Sequence, residues 1–292
     1  TSIPSPPSRC AAAVSDGAGS SGMFCGAWAE TLVGRLPHMP LSGLEDLNRW
    51  MEEFWEDFSV RTKKSAAQDA GKLSKFVREG SYATLAGCWL RKRDEGVSMN
   101  WLGYGDSPIY VFDRSRGGAA LSLCYPAGLA ALERDPHLLN WKDLPKENHL
   151  RVGAVDLTGP ATVVLASDGV GQFVLMRYLA DACSRGADGA PGTDVSIAHG
   201  LVAEYRRLIQ AGKGKLADMA RAHLDAPGSG FAAELAALRA GLGSETDFSR
   251  AIGDRHGQGL MANDDATMIV IDIDRPIADA TASGATDDAV RI

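Results

Sequence analysis

The sequence lacks several features by which particular classes of protein are recognised. It contains five cysteines but no C-x-x-C pair, so neither a disulfide framework nor a zinc knuckle is indicated. No apolar run approaches the ~18 residues of a membrane span. Basic residues are not in excess, and the net charge of −7 argues against nucleic acid as a partner. These absences predict a protein of a reducing, cytoplasmic compartment that does not cross a membrane.

The histidines are not spaced like the ligands of a zinc hydrolase. None of the six forms an H-x-x-x-H or H-E-x-x-H pattern. His256 lies in the glycine-rich stretch GDRHGQG, shortly before an acidic pair. A role as a general acid and a place on the solvated surface are both open for it.

The hydrophobic pattern predicts helices around a run of strands. Helical periodicity covers residues 22–36, 44–60, 65–78 and most of 173–253, and Ser20 or Ser21 is expected to cap the first helix. Strand-like runs lie between and after these helices: SYATLAGCWL, VSMNWLGYG, IYVFD, AALSLCY, RVGAVDL, ATVVLAS and residues 266–273. The order of these segments predicts an α+β architecture with antiparallel strands.

Three acidic turns stand at the ends of apolar runs. Asp16-Gly17 follows the run CAAAVS, Asp168-Gly169 follows VVLAS, and Asp264-Asp265 precedes the strand of residues 266–273. Each turn alone is common, because Asp accepts local backbone bonds and Gly takes positive φ. If a fold gathers the three carboxylates, their repulsion calls for a divalent cation, and hard oxygen ligands favour Mg²⁺ or Mn²⁺. Two such ions can bind a phosphate and activate a water.

The motifs in chain order resemble one known family. The stretches SDGAGS, SYATLAG, GYGDSPIYVF, VVLASDGV and NDDATMIVIDI resemble the metal-dependent protein phosphatases of type 2C, over about residues 9–274. The run LLNWKD between GDS and SDG is similar to the bacterial branch. The resemblance implies one domain over residues 1–292, folded as a four-layer αββα sandwich of two antiparallel sheets flanked by helices. Residues 173–253 would form a helical flap-like insertion, and residues 280–292 a frayed tail.

The resemblance also implies roles for individual residues. Asp16 would bridge two metal ions, and the Gly17 carbonyl would complete the coordination of one of them. Asp168 and Asp264 would be ligands of the first ion. Asp106, in the GDS turn, would hold a weaker third ion together with Asp168.

Two positions depart from the family pattern. Members carry an arginine for the phosphate and an acidic motif for the second metal ahead of the first Asp-Gly, but no acidic residue precedes Asp16. Those groups either lie in residues ahead of Thr1 or are lost. Arg9 is the one nearby cation, either a phosphate contact or an exposed arginine at the end of a strand. Asp265 stands where Asn is common, as a spare ligand or a solvated turn residue.

Two hypotheses about function follow. The first is a Mn²⁺- or Mg²⁺-dependent phosphomonoester hydrolase, a protein serine/threonine phosphatase that opposes a kinase and uses a water activated between two metal ions. The second is a weakly active or inactive relative that binds or regulates a protein partner. The missing acidic motif motivates the second hypothesis, and the retained Asp16, Asp168 and Asp264 favour the first.

Overall fold

The computed structural model describes residues 9–115, 119–185, 195–226, 230–262 and 264–274. This part of the chain divides into two compact units. Unit 1 contains residues 9–107 and 135–158, and unit 2 contains residues 108–134 and 159–274. The prediction that residues 1–292 form a single domain stays a prediction, and the predicted tail at 280–292 lies outside the described residues.

Unit 1 contains two antiparallel sheets and helices that share a hydrophobic core with them. The first sheet has the order β1-β4-β5-β9, and the second has the order β2-β3-β8. The strands are β1 (Arg9–Val14), β2 (Gly17–Gly22), β3 (Ser81–Ala83), β4 (Leu85–Arg93), β5 (Gly96–Tyr104), β8 (Leu139–Asn140) and β9 (Leu150–Leu157). The helices are α1 (Cys25–Gly34), α2 (Leu44–Glu52), α3 (Trp55–Ala66) and α4 (Ala70–Glu79).

Unit 2 has one antiparallel sheet of the order β11-β10-β6-β7. Its strands are β6 (Ile109–Asp113), β7 (Ala120–Tyr125), β10 (Ala161–Ala166) and β11 (Met268–Ile273). Its helices are α5 (Asp168–Ser184), α6 (Val195–Ala211), α7 (Lys215–Asp225), α8 (Phe231–Gly241) and α9 (Glu245–Gly257). The predicted α+β class with antiparallel sheets and helices packed beside them is therefore confirmed, and the described residues between 173 and 253 lie mainly in helices, as predicted.

The aromatic segment predicted as one helix over residues 44–60 is two helices, so that prediction is wrong. Helix α2 ends at Glu52, and Phe54, with φ of −144°, precedes the first residue of α3. The break lets Phe54 pack against both Trp50 and Trp28, at ring-centroid distances of 5.0 and 5.8 Å. Contacts in the core therefore override the helical periodicity here. The next helix begins at Ala70 rather than near Ser65, because the Asp69 side chain caps it by accepting the Lys72 N–H.

Serine capping of the first helix is also wrong. Helix α1 begins after Phe24, so that Phe24 and neither serine occupies the N-cap position; Phe24 has a φ of 57° and its side chain makes no capping hydrogen bond. The Cys25 Sγ–H instead donates to the Ser21 carbonyl over 2.9 Å. Because strand β2 occupies residues 17–22, Asp16 lies between two strands, and not at the predicted strand-to-helix junction.

The LLNWKD run of unit 1 closes the C-terminal end of α4. The Asn140 side-chain amide donates to the Glu79 carbonyl, and Lys142 Nζ donates to the carbonyls of Val77 and Arg78. Trp141 stacks on Phe76 at 5.0 Å between ring centroids. The last carbonyls of a helix have no intrahelical partner, so this run supplies the hydrogen bonds they need.

Candidate functional site

Asp168 lies at the junction of β10 and α5 in unit 2. Every residue of β10 is buried, as expected for an apolar strand in the middle of a sheet. Ser167 follows the strand in an extended conformation, and Asp168 is the first residue of α5. An acidic side chain in the first helical turn is stabilised by the positive end of the helix dipole. The junction therefore holds one carboxylate at the end of a rigid strand.

Ser167 fastens this junction to the loop that leads into β11. Its N–H donates to the Thr267 carbonyl over 2.9 Å, and its Oγ accepts the Thr267 N–H over 3.1 Å. The same hydroxyl donates to the Asp265 carbonyl over 3.0 Å. Ser167 is 2% exposed, so these bonds are made away from bulk water. They hold the loop carrying Asp264 against the start of α5.

Asp168 and Asp264 are brought together by this arrangement. A side chain added at Gly169 would bring its Cβ to 3.8 Å from the Asp264 Cβ, which places Asp264 over the first turn of α5. Each carboxylate accepts the N–H of the residue that follows it: Asp168 Oδ1 from Gly169 over 2.7 Å, and Asp264 Oδ1 from Asp265 over 2.8 Å. Both carboxylates are therefore held by their own backbone.

The electrostatics of this pair favour a cation. Burial raises the pKa of the Asp168 carboxyl, and the negative charge of Asp264 raises it further, while the Gly169 N–H acts in the opposite direction. Within the described ranges, neither carboxylate forms an ion pair with a basic side chain. Two neighbouring carboxylates, each held through one oxygen, fit a hard divalent cation.

In unit 1, Thr84 holds the turn that carries Asp16. The Asp16 N–H donates to Thr84 Oγ1 over 2.8 Å, and the Thr84 N–H donates to the Asp16 carbonyl over 2.9 Å. The Ser15 hydroxyl donates to the Thr84 carbonyl over 2.5 Å. Thr84, which interrupts the strand pattern between β3 and β4, therefore fixes the Asp16 backbone on both sides.

The turn that carries Asp106 meets the same threonine. Thr84 Oγ1 and Ser107 Oγ lie 2.6 Å apart, and both residues are buried. Gly105 has a φ of +98°, and a Cβ there would lie 2.8 Å from Thr84 Cγ2, so this position requires glycine. The turns of Asp16 and Asp106 are thus both tied to Thr84.

Among the residues that the structure describes, no three His, Cys, Asp or Glu side chains form a group that could hold a metal ion. The pair of Asp168 and Asp264 in unit 2 is brought together, and in unit 1 the turns of Asp16 and Asp106 share Thr84. Arg9 begins β1, and the strand extends for roughly 17 Å before the turn of Asp16. Its predicted role as a phosphate contact stays a prediction, as do the roles of Asp16, the Gly17 carbonyl and Asp106.

Two further predictions concern exposed residues of unit 2. His256 lies exposed near the end of α9, and its role as a general acid stays a prediction. Asp265 is also exposed, and its backbone carbonyl, rather than its carboxylate, is engaged by Ser167.

Sequence reasoning missed the hydroxyl residues that position the acidic turns. Ser107 directly follows Asp106, Ser167 directly precedes Asp168, and Thr84 stands in the SYATLAG motif. For Ser107 and Ser167, their position beside an acidic residue was the available signal, whereas no local signal pointed to Thr84. The bonds of Thr84 to residues 15 and 16 and those of Ser167 to residues 265 and 267 join positions 68 to 100 residues apart, so only the fold shows these contacts.

No protein-family model matches the chain, and no curated protein matches it. Solved structures with some likeness include a bacterial serine phosphatase with 13% identity and a TM-score of 0.39, covering 91% of this chain and 87% of that chain. Serine/threonine phosphatase Stp1 from Staphylococcus aureus has 13% identity and a TM-score of 0.38, over 89% of this chain and 82% of that chain. PppA, described as a key regulatory component of T6SS in Pseudomonas aeruginosa, has 16% identity and a TM-score of 0.36, over 90% of this chain and 85% of that chain. At such TM-scores, a function for this chain has to be argued from its own residues.

Proposed function

We propose that this protein is a Mn²⁺- or Mg²⁺-dependent phosphomonoester hydrolase whose substrates are phosphoserine and phosphothreonine side chains of proteins. The observation that carries the proposal is the pairing of Asp168 with Asp264, which Ser167 holds beside each other without a basic partner in the described part of the chain. The ordered acidic motifs of the sequence support the same chemistry. Such an enzyme reverses the action of a serine/threonine kinase.

The contacts support specific roles for this chain's residues in the proposed reaction. The Gly169 and Asp265 amides each hold one carboxylate oxygen, Oδ1 of Asp168 and of Asp264, so that each carboxylate is restrained by the backbone. Ser167 keeps the two carboxylates at a constant separation, because it bonds to both the amide and the carbonyl groups of the opposing loop. A bound divalent cation supplies charge that neutralises phosphoryl oxygens and lowers the pKa of an attacking water.

The test is hydrolysis of an aryl phosphate and of a phosphothreonine peptide, with and without Mn²⁺. We expect Asp168→Asn and Asp264→Asn each to lower turnover by at least about 100-fold, since losing even a supporting partner of a metal ligand commonly costs 10- to 100-fold. Asp218→Asn is the matched control, because Asp218 is an exposed carboxylate on α7 that pairs with Arg221. Its turnover should equal that of the wild type.

Two outcomes would overturn the assignment. Hydrolysis that persists in a chelator, or at full rate in Asp168→Asn, would show that the acidic pair does not carry the reaction. Tight Mn²⁺ binding by calorimetry without hydrolysis of either substrate would instead identify a metal-binding module that regulates or recruits a protein partner.

A further inference from the structure

A basic pocket lies in unit 1, at the end of the β1-β4-β5-β9 sheet where β4 turns into β5. Its cavity has a volume of about 220 Å³ and is lined by Arg9, Arg91, Arg93 and His38, with Trp89 also contributing. Four groups that are cationic or can become so surround this cavity, in a protein with a net charge of −7.

The strand register places the arginines on one face of the sheet. Arg91 and Arg93 alternate with Lys92 along β4, so their side chains leave the strand on the same side. Arg9 of β1 lies directly opposite Arg91 in the antiparallel pair. Like charges directly opposite each other destabilise a sheet. The Arg9 and Arg91 side chains therefore repel each other, and an anion bound between them would remove this repulsion.

The polar groups of the pocket have free hydrogen-bonding capacity. Within the described ranges, Arg91 and Arg93 form no ion pair, and Arg9 Nη1 contacts only the thioether sulfur of Met39, at 3.3 Å. Ser98 and Asn100 of β5 line the same cavity, and their side chains also make no hydrogen bond to the described residues. Donors are thus gathered around the cavity, and among the residues that the structure describes the only acceptor they contact is Met39 Sδ.

The wall of the pocket is held in place by Trp89. Its ring is 4% exposed, and its Nε1–H donates to the Pro37 carbonyl over 2.7 Å. This bond fixes the segment that carries His38 and Met39 beside the arginines. The site is therefore formed before any ligand arrives.

We propose that this pocket binds the phosphoryl group of a phosphate monoester or of free orthophosphate. A phosphate dianion offers several strong acceptor oxygens, and the planar guanidinium of arginine binds them in pairs. A volume of about 220 Å³ admits one phosphoryl group with a few attached atoms. The ligand is either free phosphate or a phosphorylated side chain of a protein.

Within unit 1, this site is distinct from the turn of Asp16. Arg9 and Val14 mark the two ends of β1, roughly 17 Å apart, and Asp16 follows two residues beyond Val14. The phosphate proposed for Arg9 is therefore not one that is also bound by the Asp16 carboxylate. The inference does not rest on the proposed hydrolase activity, because the binding needs neither a metal ion nor turnover.

The experiment measures orthophosphate binding by calorimetry to the Asp168→Asn protein in a chelator, so that neither metal nor hydrolysis contributes. The test variant adds Arg91→Ala and Arg93→Ala to the Asp168→Asn protein. The control adds Lys92→Ala instead, because Lys92 carries the same kind of charge on the opposite side of β4. We expect orthophosphate to bind with a Kd below about 1 mM. The double substitution Arg91→Ala and Arg93→Ala should raise this Kd at least about 10-fold, and Lys92→Ala should leave it unchanged. Arg91→Lys should weaken it by an intermediate factor, because charge remains but paired donation is lost.

A second arm separates the two sources of the phosphoryl group. A phosphothreonine peptide that binds at least about 10-fold more tightly than orthophosphate identifies a phosphorylated protein as the ligand, and equal binding identifies free phosphate. Absence of orthophosphate and peptide binding would overturn the proposal. Equal losses in Lys92→Ala and in the arginine variant would also overturn it, because they would show a general effect of charge. Circular dichroism of each variant checks that these exposed substitutions leave the fold intact.

Discussion

Thr84 Oγ1 lies 2.6 Å from Ser107 Oγ, and the same threonine oxygen accepts the N–H of Asp16. One buried hydroxyl therefore joins the turn of Asp16 to the turn of Asp106. The two turns are far apart in the sequence, and each is short and rich in glycine. The shared hydroxyl therefore helps to fix the geometry of both turns.

Replacing Thr84 with valine tests this dependence. Thr84→Val keeps the shape of the side chain but leaves the Asp16 N–H and the Ser107 hydroxyl without this partner, so we expect a loss of about 1–3 kcal/mol in the free energy of unfolding. Mn²⁺-dependent turnover should fall about 10- to 100-fold if the turns hold ligands. Urea denaturation and phosphatase assays measure the two effects. Thr84→Ser, which retains the hydroxyl, should stay close to wild type, and full turnover in Thr84→Val would contradict the prediction.

Ser167 should control metal affinity. Ser167→Ala removes the hydroxyl that accepts the Thr267 N–H and donates to the Asp265 carbonyl, so the loop of Asp264 keeps only the backbone bond from the residue 167 N–H to the Thr267 carbonyl. We expect the Mn²⁺ affinity measured by calorimetry to fall about 10- to 100-fold. Ser122→Ala is the control, because Ser122 Oγ makes a single bond to the Val111 carbonyl in the same unit. An equal change in the two variants would show that Ser167 has no specific role.

The buried His223 should make unit 2 less stable in acid. His223 is 1% exposed, and its Nε2 lies 2.8 Å from the Leu260 carbonyl oxygen, so this nitrogen carries the proton of the neutral ring. Burial lowers the pKa of His223 to about 4, against an opposite effect of the Leu260 carbonyl. Below the unfolded-state pKa of roughly 6.5, the unfolded chain binds a proton that the folded chain does not. The free energy of unfolding should therefore fall by roughly 3 kcal/mol as the pH decreases from 6.5 to 4.

Urea denaturation across this pH range measures the effect. His223→Gln, which keeps a side-chain donor, should show a smaller decrease in stability with acid than the wild type. His199→Gln serves as the control because His199 is exposed on α6. A pH dependence of His223→Gln equal to that of the wild type would contradict the assignment.

Asp272 should be a major source of stability in unit 2. Its carboxylate is 6% exposed, accepts the Thr162 hydroxyl over 2.8 Å, and forms ion pairs with Arg239 and, at 3.7 Å, with Arg114. Asp272→Ala removes the acceptor of the Thr162 hydroxyl and of Arg239, while Arg114 keeps Asp274 as a partner. We expect a loss of about 2–3 kcal/mol, at the low end for buried pairs because both arginines are partly exposed. Asp274→Ala removes an exposed partner of Arg114 and should cost under about 1 kcal/mol. Equal losses measured by thermal denaturation would contradict the prediction.

The hydrophobic pattern of short segments predicted several strands correctly. The continuous apolar run before Asp168 forms the buried strand β10, and the strand-like runs IYVFD and AALSLCY correspond to β6 and β7. The break at Phe54 could not be predicted, because it depends on where Trp28 lies in the folded core. The bonds of Ser167 to residues 265 and 267 likewise required the pairing of β10 with β11. Sequence reasoning identified the acidic residues, but not the hydroxyl groups that position them.

The close packing at Gly17 has a consequence for how related sequences are compared. A Cβ at this position would lie 2.6 Å from the Cys25 backbone carbon, so the start of α1 excludes any side chain there. A related sequence would therefore need glycine here in order to fold, whichever residue precedes it. Retention of Gly17 among relatives would report that this packing has survived, and would carry no information about chemistry at position 16.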